Sequence, residues 1–232
     1  MIVAIIPARG GSKRIPRKNL ALLNGRPLLR FTVEAALGAL GKGKVFVSTE
    51  DGAIAAEASS CGAGIVNRPA QLATDSASTE SVLMHAMQDP CVREVGAEWV
   101  MTLPPTSPLR DSTTIREFLT RVNLDANAAD CYFSVTETRA DYWQRIEGGE
   151  WRRLFPDAPR RQQERSPLFE ENSAIYLTRI DALRGTGSIL GGRAKGIAIT
   201  AREGFDINSP DDLAMAELIV AAHHGGAAGG SS

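Results

Sequence analysis

Five consecutive apolar residues, Ile2 to Ile6, open the chain without a polar interruption and constrain its fold more than any other stretch. A strand that is apolar on both faces has to be covered on both faces, as the central strand of a layered α/β sheet is. Pro7 ends the run because it cannot donate the next ladder hydrogen bond. A loop follows in which Gly10, Gly11 and Ser12 sit among Arg9, Lys13, Arg14, Arg17 and Lys18, with no carboxylate. Glycines let a backbone approach a ligand closely, and successive N–H groups can converge on an anion. A buried strand that opens into a cationic glycine loop implies a phosphate site at the C-terminal edge of the sheet. Neither G-x-x-x-x-G-K-[ST] nor G-x-G-x-x-G occurs there, which disfavours a P-loop kinase and a dinucleotide-binding dehydrogenase.

Downstream, helical and strand patterns alternate. A helix is expected over Pro27–Leu40 and a strand over Val45–Ser48, followed by a helix capped by Asp51. Further strands are expected at Ile65–Val66, Trp99–Leu103 and Cys131–Val135, with helices over about Ser78–Gln88 and Asp111–Val122. This rhythm predicts an α/β fold with a doubly wound, mostly parallel sheet. From about Arg139 to Ser173 the rhythm breaks into an inserted arm carrying Trp143, Trp151 and the arginines 152, 153, 160, 161 and 165. Strands resume at Ala174–Thr178 and Gly196–Thr200, and a last helix is expected over Pro210 to about Ala222. Residues 1–224 therefore read as one domain, and Gly225–Ser232, made of Gly, Ala and Ser only, as a disordered tail.

A formal net charge of −1 argues against a general nucleic-acid binder, so the basic loop is a local feature. Cys61, Cys91 and Cys131 fit no zinc or redox spacing, and free thiols fit a reducing cytoplasm. No signal peptide pattern precedes the first strand and no apolar run reaches membrane-spanning length, so a cytoplasmic protein without membrane contact is expected. His85, His223 and His224 are too scattered to form a metal set.

The run Ala8-Arg9-Gly10-Gly11-Ser12-Lys13, followed after a spacer by Lys18-Asn19, resembles the N-terminal signature of the acylneuraminate cytidylyltransferases. Further stretches in the same order resemble that family's motifs. They are Arg68–Ser78 (RPAQLATDSAS), Leu103–Arg110 (LPPTSPLR), Arg161-Gln162 with Asn172–Tyr176, and Phe205–Leu213 (FDINSPDDL). The resemblance implies a Rossmann-like nucleotidyltransferase that uses CTP and magnesium. It implies a nucleotide site from Ala8, Arg9, Gly10, Gly11, Ser12, Lys13 and Asn19, with Arg68, Ser76 and Ser78 beside base and ribose. Arg9, Lys13, Lys18 and Asp206 would carry the chemistry, and Thr106, Ser107, Arg161, Gln162 and Asn172 would meet an acidic acceptor. In an extended segment residues two apart share a face, so Asp206 and Asn208 stand where the family holds magnesium with two aspartates. Ser209-Pro210 reads as the cap of the last helix, and Asp211 and Asp212 in its first turn favour the helix dipole, a structural role.

Three positions depart from the family pattern. Pro104 replaces an acceptor-binding glutamine, Ser173 a glycine, and Asn208 an aspartate. The expected reaction is CMP transfer from CTP to a sialic acid-type nonulosonate with release of pyrophosphate, by a homodimer formed through the arm. Three alternatives stay open: the same transfer to another ulosonate or a small phosphonate or carboxylate, a different nucleoside triphosphate, and a non-catalytic nucleotide-binding regulator.

Overall fold

A computed structural model describes residues 1–122 and 128–226. The first strand, β1 (Ile2–Pro7), lies near the middle of a seven-stranded sheet. It pairs in parallel with β4 (Val45–Thr49) on one side and β6 (Trp99–Thr102) on the other. Beyond β4 lies β5 (Gly64–Asn67), also parallel. On the far side of β6 come β10 (Leu168–Arg179), β7 (Cys131–Thr138) and β11 (Ala194–Ala198). Only β10 runs against the rest, antiparallel to both β6 and β7, so the sheet is mostly parallel as expected.

Both faces of β1 are covered, which is why its sequence does not alternate. Ala4 and Ile6 point into one apolar cluster with Leu29, Val33, Ile54, Ile115 and Phe118. Those residues come from α1 (Leu28–Leu40), α2 (Gly52–Cys61) and α5 (Ser112–Thr120). Val3 and Ile5 point into the opposite cluster with Leu83, Ala86, Val92, Ile180 and Leu183. These belong to α3 (Thr79–Ala86), α4 (Pro90–Glu94) and α6 (Ile180–Thr186). Helix starts follow their caps. Asp51 accepts from the Ala53 and Ile54 N–H groups at 2.8 and 3.0 Å, Ser78 from Ser81 at 3.1 Å, and Asp111 from Thr114 at 2.8 Å.

Two small hairpins complete the fold: β2 (Leu22–Leu23) with β3 (Arg26–Pro27), and β8 (Trp143–Arg145) with β9 (Trp151–Arg153). The second lies in the expected arm, which is narrower than its sequence boundaries. Leu168–Ser173 belongs to β10, and its polar letters are explained by an irregularity in the pairing with β7 between Glu171 and Tyr176. Ser173 adopts φ +58° there, the conformation its family counterpart glycine reaches without strain. The final helix, α7 (Pro210–Gly226), extends past the expected Ala222 and takes in Gly225 and Gly226. The rest of the expected tail, 227–232, lies outside the described residues.

Candidate active site

Strand order reverses between β1 and β6: the chain moves from β1 through β4 to β5, then returns to the other side of β1. The loops that leave the C-terminal ends of β1 and β6 diverge at that point, and an open sheet binds ligands in such a crevice. A cleft of about 540 Å³ opens there, a size suited to a nucleotide. Its walls are the loop after β1, the loop between β5 and α3, and the loop after β6, with Asn208 closing one side.

The loop after β1 is anchored at Ile15, Arg17 and Asn19. Ile15 is buried in a third apolar cluster with Leu23, Leu28, Leu109, Ile207, Ala216 and Val220. The Asn19 amide donates to the Arg9 carbonyl at 2.8 Å and closes the loop on itself. Arg17 sits in the left-handed region and reaches Asp51 at 3.3 Å. A Cβ on Gly10 would lie 2.6 Å from an Asp51 oxygen, so this residue has to be glycine while Asp51 caps α2. The Gly10 N–H donates to Glu50 at 2.7 Å and is thus already paired with an anion of the fold.

Arg9, Gly11, Ser12, Lys13, Lys18 and Asn19 all line the cleft. Burial lowers the proton affinity of Lys18, and nearby Asp206 partly offsets this. From the loop between β5 and α3 come Arg68 and Ser78. Arg68 is buried and donates to the Ser48 carbonyl at 2.6 Å and the Ser48 hydroxyl at 3.1 Å, so it builds the floor as well as facing the cleft. Desolvation is the main influence on its guanidinium and lowers its pKa. Thr106 lines the cleft, and its carbonyl accepts from the Ile207 N–H at 2.8 Å, joining the β6 loop to the segment that carries Asp206 and Asn208.

Asp206 and Asn208 do share a face: the Asn208 amide nitrogen donates to one Asp206 oxygen. The other oxygen, Oδ1, is buried without a partner. Asp212 is engaged elsewhere. It accepts from the Asn208 and Ser209 N–H groups at 2.9 and 2.8 Å and from the Ser209 hydroxyl at 2.8 Å, which fastens the start of α7. The Asn208 N–H, followed by the two Ser209 groups, holds its carboxyl below the usual range.

Other expected site residues lie away from the cleft lining. Ala8 is fully buried beneath the loop and Ser107 is fully buried behind Thr106. Ser76 is exposed and pairs with Thr74 at 3.2 Å. Asn172 spends its amide on Ser134 at 2.6 Å and Thr136 at 2.9 Å, bracing the irregular turn of β10. Arg161 and Gln162 sit out on the arm, with Arg161 3.2 Å from Glu164 and Gln162 beside Glu137, Thr138 and Arg139. Of the acidic side chains among the described residues, Asp75 lines the cleft and escaped the sequence reading. Asp75 bridges Arg9 and Lys13 at 2.7 and 2.6 Å. It stood in a quoted motif as one acid among hydroxyls, and nothing local to it signals the two cations, Arg9 and Lys13, in a loop far off in sequence.

A family profile described as Cytidylyltransferase matches residues 3–144, which include the β1 loop, the Arg68–Ser78 loop and the β6 loop. The chain belongs to the cytidylyltransferase family. It is 42% identical over 137 residues to an N-acylneuraminate cytidylyltransferase of Escherichia coli, an overlap of 59% of this chain and 32% of that protein. An N-acylneuraminate cytidylyltransferase of Streptococcus agalactiae is 29% identical over 91% of this chain and 51% of its own. The CMP-N,N'-diacetyllegionaminic acid synthase of Legionella pneumophila is 29% identical over 94% and 96%. The chain thus spans about a third to a half of the first two relatives and nearly all of the third. Its fold is shared with CMP:2-keto-3-deoxy-manno-octonic acid synthetase complexed with CTP, at TM-score 0.66 and 19% identity over 96% and 99% of the chains. It is shared too with 4-diphosphocytidyl-2C-methyl-D-erythritol synthase of Anaerococcus prevotii, at 0.64 and 11% over 95% and 96%.

Proposed function

We propose that this protein transfers CMP from CTP to a nonulosonic acid of the sialic acid or legionaminic acid type and releases pyrophosphate. The observation that carries this is the convergence of Arg9, Lys13 and Lys18 in the crevice beside β1, in a chain of the cytidylyltransferase family. The similar proteins named above as N-acylneuraminate cytidylyltransferases and a legionaminic acid synthase support the acceptor class.

In-line attack of an acceptor oxygen on the α-phosphorus builds negative charge on phosphate oxygens. Arg9, Lys13 and Lys18 would neutralise that charge, with Gly11 and Ser12 giving the phosphates close access to the backbone. The unpartnered Asp206 Oδ1 and the Asn208 amide oxygen make an all-oxygen donor pair beside these cations, which suits magnesium. Among the described residues no group of three or more His, Cys, Asp or Glu side chains is gathered as a metal site. The cation's other ligands would then come from phosphate and water. When bound, magnesium would neutralise phosphate charge and lower the acceptor hydroxyl's proton affinity. Arg161 and Gln162, which do not line their own cleft, would meet the acceptor carboxylate across a homodimer. The exposed Trp143, Trp151, Leu154, Phe155 and Phe169 would be covered in that assembly. Among the described residues no helix is long and apolar enough to cross a membrane, and we place the reaction in the cytoplasm.

One observation favours a second acceptor class. Pro104 lines the cleft with no side-chain hydrogen bond to offer, which fits another ulosonate or a smaller acid. Pyrophosphate release from CTP and magnesium, measured across sialic-type sugars, other ulosonates and small phosphonates, tests both. Release with a nonulosonate supports the first assignment. Release with small acids alone replaces the acceptor, and silence with every acceptor despite CTP binding overturns the enzyme.

A further inference from the structure

Asp75 reaches across the cleft from the loop between β5 and α3 and divides its carboxylate between two cations of the β1 loop. One oxygen lies 2.7 Å from Arg9 Nη2 and the other 2.6 Å from Lys13 Nζ. Two oxygens on one centre, each meeting one cation, is the pattern a phosphoryl group would present to the same pair. The neighbouring carboxylates have other tasks: Glu50 accepts from Gly10, Asp51 caps α2 and holds Arg17, and Asp206 pairs with Asn208. Asp75 caps no helix, and both its oxygens go to the phosphate-loop cations. The Lys13 hydrogen bond, then that of Arg9, keeps it ionised to lower pH than a free aspartate.

The bridge is also placed to be broken. The Lys13 side chain is 81% exposed and that of Asp75 46%, so water screens the pair. The structural pairing of Arg153 with Asp141 on the arm is 11% and 17% exposed, as an ion pair meant to persist would be.

We propose that Asp75 is an internal surrogate for a phosphate, holding Arg9 and Lys13 until a polyphosphate displaces it, and that it sets how many phosphates a ligand needs in order to bind. Asp75 has this role in catalysis only if the cleft takes a nucleoside triphosphate, as proposed above. A single phosphate breaks two charge-assisted contacts and makes two. A di- or triphosphate also reaches Lys18 and the Gly11–Ser12 backbone, and so gains more than it displaces. The returning carboxylate then competes with pyrophosphate for Arg9 and Lys13, which speeds product release.

The test is calorimetric titration of inorganic phosphate, pyrophosphate and CTP into the wild type, Asp75→Asn and Asp75→Ala, alongside steady-state pyrophosphate release from CTP with magnesium and each acid of the acceptor panel above. Both variants should bind pyrophosphate about tenfold more tightly. The gap between phosphate and pyrophosphate should narrow, and kcat should fall together with KM for CTP. Unchanged or weaker pyrophosphate binding in both variants overturns the proposal, as does tightening in the Asn variant alone, since the neutral amide could add bonds of its own. Turnover of CTP by the wild type without tightening in the variants removes the Asp75 role and leaves the transferase. Tightening without turnover by the wild type keeps the Asp75 role and removes the transferase.

Discussion

Lys18, Asp206 and Asp212 stand close together, yet the geometry gives them unequal work. Lys18 faces the cleft and Asp206 keeps an unpartnered buried oxygen, whereas every recorded bond of Asp212 fastens the start of α7. Lys18→Ala and Asp206→Ala should each cut turnover of CTP by about a hundredfold or more, the scale on which one charge-stabilising group acts. Asp212→Ala should leave most of the turnover and lower the melting temperature; equal losses in all three would undo the assignment of roles. The pH dependence has a definite sign. Because the Asp212 carboxyl is held below its ordinary 3.8, its contribution is present above that value and lost as pH falls through the lowered one. The Asp212→Ala variant should therefore lose less stability than the wild type on acidification below about pH 4, read from melting curves. Ser173 makes a second residue-scale case. With φ +58° and its hydroxyl 3.1 Å from that of Tyr176, it balances strain against a bond. Ser173→Gly should stay within about 1 kcal/mol of the wild type in urea unfolding, while Ser173→Val should cost about 2 kcal/mol, since a β-branched residue resists that conformation.

At the scale of elements, Arg110 shows how the β6 loop is held. It is fully buried, with one guanidinium nitrogen donating to the Ala174 carbonyl and another to the Thr32 hydroxyl at 2.9 Å. It thereby ties that loop to β10 and α1 through neutral oxygens. Removing it leaves a cavity and two unpaired acceptors, so Arg110→Ala should destabilise by about 3 kcal/mol in urea unfolding. The elements also show what the letters could carry. The strands of the parallel core were legible because burial on both faces leaves near-continuous apolar runs, and helix starts because Asp51, Ser78 and Asp111 are caps with few other uses. The outer half of β10 was not, because its Glu170, Glu171 and Asn172 face outward or brace a turn. The short α4 and α6 were missed because five to seven residues hold too few turns for a period to show. Among the cleft-lining side chains, the cations stood out because they are close together in sequence, and Asp75, whose pairing depends on another loop, did not.

Across the described residues, all the exposed large aromatic side chains lie on the arm and the outer half of β10, where Trp151 is 64% and Phe169 56% exposed. Sedimentation velocity should find a dimer, and Trp151→Asp combined with Phe169→Asp should shift it to monomer and weaken acceptor binding with little change for CTP. A monomeric wild type with full turnover would remove the arm from the site. The third apolar cluster has a consequence of a different kind. It joins Ile15, Leu23 and Leu28 from the first thirty residues to Ala216 and Val220 of α7. During synthesis the sheet can begin to assemble from its N-terminal strands, but the seat of the loop after β1 stays incomplete until α7 emerges. A nascent chain therefore carries the cationic loop sequence through the synthesis of every element from β1 to α6 before the last side of that loop's apolar seat exists. Ending the chain after Ser209 should leave a far-ultraviolet spectrum of folded strands and helices while abolishing CTP binding.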